Sequence, residues 1–294
     1  MTEPQARTLV SSAQLNRHPV AYRVLLTLVM VVATLIFIGP LYFLFTDGLK
    51  STSEAVQVPP TIVPAHVHPG TYTAAWSRVG IGRLLVNTLY YAFGALAFQL
   101  VFDVAAAYSL SRLRPVLGNL IFALMLATLM IPSTVLLVPQ YVTVSDLPIL
   151  HLNLIGSPEA IWLPSVANAF NIFLLKRFFD SIPAELLAAA AIDGASPLRT
   201  LRSVVLPISR PIIGVVAIFS LVAVWKDFLW PLLVEYGYNP NRETLNVGIF
   251  EAASTTQQNL VLAASAMAAV PTLVFFLIFQ RNILSGLTAG SLKG

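Results

Sequence analysis

Long apolar runs alternate with shorter polar stretches along almost the whole chain. Six runs stand out, at 24–45, 84–110, 116–138, 155–175, 212–234 and 260–279. Each is about 20 residues or more and nearly free of charge. At 1.5 Å per residue, a helix of that length crosses the ~30 Å hydrocarbon layer of a bilayer. Pro40, Pro132, Pro139, Pro164, Pro231 and Pro271 lie in or beside these runs. Transmembrane helices tolerate proline because neighbouring groups take up the freed backbone atoms. No small-residue cleavage site follows the first run, so it is expected to be an uncleaved span rather than a signal peptide. The pattern predicts an all-α polytopic membrane protein with six transmembrane helices. A polar segment at 1–23 precedes a transmembrane domain at 24–281, and a short tail at 282–294 ends the chain.

Composition supports lipid as the main solvent. Of 294 residues, 57% are hydrophobic and only 10% are charged, where a soluble domain has about a quarter charged. Cysteine is absent, which excludes disulfide frameworks, cysteine metal sites and thiol nucleophiles. The four histidines, His18, His66, His68 and His151, are scattered, and no metal site is expected from them. Asp103 is a lone carboxylate in its run, and no histidine falls within a run. An intramembrane protease, with its Ser/His or paired Asp set, is therefore disfavoured. No Gly-rich loop ending in Gly-Lys-Ser/Thr is present, so the chain itself is not expected to bind ATP.

Charge sets the orientation. With the N-terminus inside, 12 of the 17 Lys and Arg residues are cytoplasmic: Arg7, Arg17, Arg23, Arg112, Arg114, Lys176, Arg177, Arg199, Arg202, Arg210, Arg281 and Lys293. The remaining 5, Lys50, Arg78, Arg83, Lys226 and Arg242, are external or within the membrane. Positive residues are retained on the cytoplasmic side during insertion, so both termini are expected there.

The longest internal stretch, at about 176–210, reads as two short helices joined by an elbow at about 181–207. Ser181 or Ile182 is expected to cap the first helix, with Pro183 in its first turn and Glu185 beside the positive end of its dipole. Ala188, Ala189, Ala190 and Ala191 favour helix. Asp193-Gly194 ends it, Gly194 being free to take the left-handed conformation. Ser196-Pro197 starts the second helix and Pro207 is expected to close it. Leu186 and Leu187 form apolar knobs on a thin helix. Such a segment suits a surface helix lying on lipid headgroups, or a docking helix that inserts into a groove of a soluble partner.

This segment resembles the cytoplasmic "EAA" loop of carbohydrate ABC importer permeases of the binding-protein-dependent transport family. That pattern is Glu-Ala-Ala, three residues, Gly, nine residues, Ile-x-Leu-Pro. Ala189, Ala190, Gly194, Leu206 and Pro207 match it, and Val204 stands at the Ile position. Ala188 replaces the motif's glutamate, and Glu185 lies three residues earlier. The likeness extends to Ala105-Ala-Ala-Tyr-Ser-Leu-Ser-Arg112, Trp225-Lys-Asp-Phe-Leu229, Met267-Ala268 with Pro271, and the tail from Gly286 to Gly294. Together the pieces cover roughly residues 20–294, and they are similar to the six-span smaller membrane subunit of the maltose transporter.

The resemblance implies a bacterial inner-membrane subunit with no catalytic residue, forming half of a translocation pathway. Its implied partners are a homologous permease, two ATP-hydrolysing subunits that bind the ATP, an extracellular solute-binding protein or lipoprotein, and a carbohydrate; no nucleic acid is implied. Glu185, Leu186, Leu187, Ala189, Ala190, Asp193, Gly194, Leu206 and Pro207 would couple the chain to the ATPases. Polar and aromatic groups within the runs, Asn87, Gln99, Asn168, Asn171, Trp225 and Asp227, are candidates to line the pathway; hydrogen bonding between helices is the alternative. Lys226 and Asp227 are adjacent and cannot face each other on a helix. A di- or oligosaccharide is the expected substrate. A glycerol-3-phosphate or polyol importer permease and an ion-coupled carrier are the alternatives.

The asymmetry of 12 positive residues against 5 predicts that a cysteine at Gly290 is shielded from impermeant thiol reagents added to intact cells. Labelling from outside would reverse the topology.

Overall fold

The structure, a computed structural model, describes residues 20–289. Arg7, Arg17 and Lys293, most of the 1–23 segment and the end of the tail lie outside the described residues. Helices dominate the described residues, and the one β-type pairing among them is an isolated bridge between Leu147 and Leu152.

Helix α1, Val20–Asp47, is the first expected span. Nearly all its apolar side chains are exposed, as lipid contact allows. At its C-terminal end Lys50 is buried against Asp47 at 2.5 Å and donates to the Thr61 carbonyl at 2.6 Å. These contacts fold the Pro-rich loop, with its short helix α2 (Thr52–Ala55), back onto the bundle. Helix α3 (Gly70–Ala75) and a widened turn lead into α4, Ile81–Tyr108.

Helix α4 is the axis of the fold. Leu84, Thr88, Tyr91, Ala95, Gln99, Asp103 and Ala107 are buried along it, spaced three or four residues apart so that they share one stripe. Against this stripe pack α7 (Glu159–Ser165), α8 (Ala169–Asp180), α12 (Arg210–Lys226) and α14 (Leu245–Thr255). Gly94 permits the closest approach: a β-carbon there would lie 2.3 Å from the indole of Trp162, whose Nε1 donates to the Tyr91 carbonyl at 3.1 Å.

The expected runs at 24–45, 84–110 and 260–279 lie in α1, α4 and α15 (Gln258–Ala289). The other three are not straight helices. The run at 116–138 is divided between α5 (Gly118–Thr128) and α6 (Ser133–Ser145), which meet at 109°. Pro132, extended at ψ 129°, explains the break, because proline also disfavours helical geometry in the residue before it. The run at 155–175 is divided between α7 and α8, and that at 212–234 between α12 and α13 (Leu229–Val234). By length and composition the described residues hold three helices able to cross a membrane, or up to five if each bent pair is one span.

Both of the latter breaks are held by side chains that satisfy freed backbone groups. Asp103, fully buried, accepts the Asn168 backbone N–H at 2.9 Å. The Asn168 side chain in turn caps α8 by accepting from the Asn171 N–H at 3.1 Å. Between α12 and α13, Asn246 donates to the carbonyls of Trp225 at 3.1 Å and Asp227 at 3.3 Å. Asp227 accepts from the Trp230 N–H at 3.4 Å and so starts α13.

Replacing Asp103 by Leu leaves a backbone donor at the α7–α8 break without its acceptor, at a cost of about 1–3 kcal/mol. Asp103→Leu should lower the thermal midpoint of the solubilised protein clearly. Asp103→Asn, which keeps an acceptor oxygen, should lower it less; equal midpoints for Leu and wild type would refute the tie.

Candidate functional site

The elbow at 181–207 is built as two helices around a left-handed turn. Helix α9 spans Ala184–Ile192 and begins after an extended Pro183 at ψ 134°. Pro183 is thus the residue before the helix rather than in its first turn. Ser181 is not its cap: its hydroxyl donates back to the Phe178 carbonyl at 2.7 Å, closing α8. Asp193 and Gly194 end α9. Gly194 has φ +72°, its N–H donates to Ala191 O at 3.0 Å, and the Ala195 N–H reaches Ala190 O at 2.9 Å. This paired pattern satisfies two terminal carbonyls and needs a left-handed residue at Gly194.

Ser196 then caps α10 (Pro197–Thr200) by accepting from the Arg199 N–H at 3.4 Å. A widened turn at Leu201–Val205 leads into α11 (Leu206–Ile208). Pro207 does not close this helix. The widened turn lies where a proline ring would clash with the carbonyl four residues earlier, and the chain instead turns by 82° between Ile208 and Arg210.

Two faces of the elbow differ. Leu187, Leu201 and Leu206 pack against a buried cluster that includes Val104, Ala107, Leu175, Phe179 and Val216. Leu187 therefore faces its own chain, which corrects its assignment as an outward knob. Glu185, Leu186, Ala188, Ala189, Asp193 and Gly194 are exposed, as are Ile192 and Leu198, at 86% and 73%. Glu185, Ala188 and Ile192 follow an i, i+3, i+7 spacing and share a face.

The elbow is fastened to the end of α4. The Tyr108 hydroxyl donates to the Pro197 carbonyl at 2.9 Å. Arg112 Nη2 donates to the Ile182 carbonyl at 2.9 Å and also to the Phe179 carbonyl. Ser111 donates to Asp180 at 2.6 Å, and Lys176 pairs with the same carboxylate at 2.8 Å. Burial alone would raise the Asp180 pKa, but hydrogen bonds from Lys176 and Ser111 and the charges of Lys176 and Arg112 hold it below the usual value. The stabilisation is present above the ordinary carboxylate pKa and is lost as pH falls through the lowered one. Tyr108 and Arg112 belong to the Ala-Ala-Tyr-x-x-x-Arg match read in the sequence, yet only contacts across the fold give them this holding role.

A separate cleft of about 390 Å³ lies between α4, α6, α7 and α13. Thr88, Ser133, Thr134, Gln140, Ser165 and Asp227 bring polar groups to it, and Tyr91 and Trp230 bring aromatic ones. Of the six candidates for pathway lining, Asp227 alone lies here. Trp225 borders a second cleft with Lys226 and Asn246, so Lys226 and Asp227 diverge. Asn87 donates to the carbonyls of Asn241 at 2.8 Å and Glu243 at 3.0 Å, tying down the loop before α14. Asn171 is buried and donates to Ser220 at 3.2 Å, Asn168 caps α8, and Gln99 is buried in the α4 stripe. The hydroxyl and amide residues of α6 and α7 were missed because they are common residue types without a diagnostic spacing.

If the ties are what orients the elbow, Tyr108→Phe removes one neutral hydrogen bond, worth about 0.5–1.5 kcal/mol, and should loosen α10 without unfolding the bundle. Hydrogen exchange of the 184–208 amides should rise several-fold while that of α4 is unchanged. Unchanged exchange in the elbow would show that packing alone holds it.

The family described as "Binding-protein-dependent transport system inner membrane component" matches residues 99–287. The melibiose/raffinose/stachyose import permease protein MelC of Bacillus subtilis is 31% identical over 274 residues, 92% of this chain and 97% of that protein. The sn-glycerol-3-phosphate transport system permease protein UgpE of Yersinia pestis is 30% identical over 270 residues, 88% and 94% of the two chains. In structure, the chain resembles a subunit of a bacterial ABC transporter involved in import of the acidic polysaccharide alginate. The TM-score is 0.76 at 20% identity, over 89% of this chain and 96% of that one, which establishes a shared fold. The chain belongs to the family of binding-protein-dependent transport system inner membrane components, as a multi-pass, non-catalytic permease subunit.

Proposed function

We propose that this chain forms half of the translocation pathway of an ATP-driven importer of a di- or oligosaccharide. Its elbow, α9 to α11, receives the movement of the ATP-hydrolysing subunits. The assembly comprises a homologous permease, two ATPase subunits and a solute-binding protein or lipoprotein, with both termini of this chain in the cytoplasm and six crossings between them. The 1–23 segment and the 282–294 tail are the cytoplasmic ends of this arrangement. The alginate transporter has also been solved with a periplasmic protein bound to an alginate pentasaccharide, which supports this type of assembly.

One observation carries the coupling role: the elbow is exposed on one face and fastened on the other. Leu186, Ile192 and Leu198 lie open to a partner, while Tyr108 and Arg112 connect the opposite side to α4. A push on α9 is thereby transmitted to the helix that carries the central stripe. With Ala188 in place of the motif's acid, Glu185 is the acidic group left on the outer face of α9.

The cleft beside Asp227 supports a neutral sugar over glycerol-3-phosphate, the transported solute named for one group of relatives. It combines hydroxyls, an amide and aromatic rings with a carboxylate, and among the described residues its lining contains no lysine or arginine. A phosphate there would face Asp227 unaided.

The test is transport and ATPase activity of the assembled complex in membranes. Gly194→Val places a β-branched residue at φ +72°, a strain of roughly 1 kcal/mol or more. Leu186→Arg places a charge where an apolar partner groove is expected. Both should abolish transport and substrate-stimulated hydrolysis together, with normal membrane insertion, and Glu185→Ala should be milder unless it has replaced the missing acid. Normal coupling in the first two would make the elbow a passive surface helix.

A further inference from the structure

A third, polar cleft lies at the foot of α4, on the other side of Arg112 from the elbow. It has a volume of about 550 Å³, and Ser111, Arg112, Arg114, Asn119, Lys176 and Asp180 bring polar groups to it. Three cations thus meet one carboxylate, leaving an excess of positive charge. The Arg112 hydrogen bonds to carbonyl oxygens orient its guanidinium without neutralising it, and its buried Nε has no hydrogen-bond partner among the described residues. Lys176 is held over the ring of Phe122 at 5.0 Å while it pairs with Asp180. Arg114 is exposed, and the contact of its Nε with the Ser111 carbonyl is long at 3.5 Å.

The rim of this cleft is apolar. Leu110 and Val116 line it, Val116 is completely exposed, and its sequence neighbours Leu117 and Leu120 at the start of α5 are more than half exposed. Nothing in water favours such a rim beside a basic cleft, whereas a bilayer interface favours both together. A headgroup phosphate would meet the cations, and its acyl chains would run along α5 away from the turn.

We propose that this cleft binds the phosphate of an anionic phospholipid headgroup, and that the bound lipid braces the α4–α8 corner to which the elbow is fastened. The ligand chemistry is a phosphate monoanion between guanidinium and ammonium groups. The apolar rim assigns it to lipid rather than to free phosphate. Basic pockets between transmembrane helices on the cytoplasmic side are suited to such headgroups. The assignment rests on the cytoplasmic placement of the elbow, which the labelling at Gly290 tests separately, while lipid retention by the cleft is measured without reference to sidedness.

The experiment is native mass spectrometry of the assembled importer after exchange into mixed phosphatidylglycerol and phosphatidylcholine. The wild-type complex should retain phosphatidylglycerol selectively, and 10 mM inorganic phosphate should not displace it. Arg114→Gln combined with Lys176→Gln should reduce retention roughly thirtyfold, at about 1 kcal/mol for each basic residue near an anionic surface. Arg23→Gln combined with Arg210→Gln removes the same charge outside both the cleft and the elbow and should leave retention unchanged. If the first pair fails to assemble, Arg114→Gln alone carries the test with a smaller loss. Equal retention in the cleft variant and the control would overturn the proposal. So would displacement by phosphate, which would assign the cleft to a free anion, or burial of the cleft by a partner subunit, seen as crosslinking from a cysteine at Asn119.

Discussion

A backbone group that leaves a helix inside lipid must find its hydrogen bond within the protein, since no water is there to supply it. Most of the polar chemistry in this chain answers that requirement. Asp103 takes the N–H freed at Asn168, and Asn246 covers the carbonyls freed at Trp225 and Asp227. Trp230 Nε1 donates to the Ala160 carbonyl at 2.9 Å, and Trp162 Nε1 to that of Tyr91. The breaks between α7 and α8 and between α12 and α13 are therefore built features, with their partners supplied from neighbouring elements. Without those partners a carboxylate as deep as Asp103 would be costly and would stabilise nothing.

The same constraint explains where the chain can move. Breaks satisfied from a neighbour can act as joints, because a short rotation shifts one bond and leaves the flanking helices whole. The 82° turn at Ser209 sits directly between the elbow and α12, which packs on α4. Tyr108 and Arg112 cross to the elbow at two separate points, Pro197 and Ile182. Two points of attachment resist tilting better than one. The elbow can then follow the α4 end as a unit, with Gly194 setting the angle between its halves.

Much of this was legible in the sequence, and the rest was hidden for a physical reason. Runs 24–45, 84–110 and 260–279 could be read because length and hydropathy decide a straight span. Gly194 and Ser196-Pro197 could be read because caps and left-handed turns are local. The breaks could not: the Asp103–Asn168 bond joins positions 65 residues apart, and neither residue signals it alone. Pro132 carried a local warning, since it sits mid-run, but proline in lipid is tolerated often enough that its effect here was masked. The inward turn of Leu187 was equally hidden, because an exposed leucine and a packed one adjoin in Leu186-Leu187 and only the α4 and α8 surfaces decide between them.

Polar residues within the spans looked alike in sequence and separated in the structure. Asn87, Asn168 and Asn171 each have a hydrogen-bonding task within the fold, which removes much of their capacity to bind a solute. Asp227 is different, since one carboxylate oxygen caps α13 while the residue still borders the open cleft. The side chains that meet it there are short hydroxyls, an amide and aromatic rings, groups that can exchange hydrogen bonds with a passing hydroxylated solute without holding it strongly. A pathway needs that balance, because a site that bound its cargo as firmly as Asp103 binds the Asn168 backbone would not release it. On the proposed reading, the bonds of Asp103 and Asp180 hold the fold, while short neutral groups beside Asp227 would meet the solute.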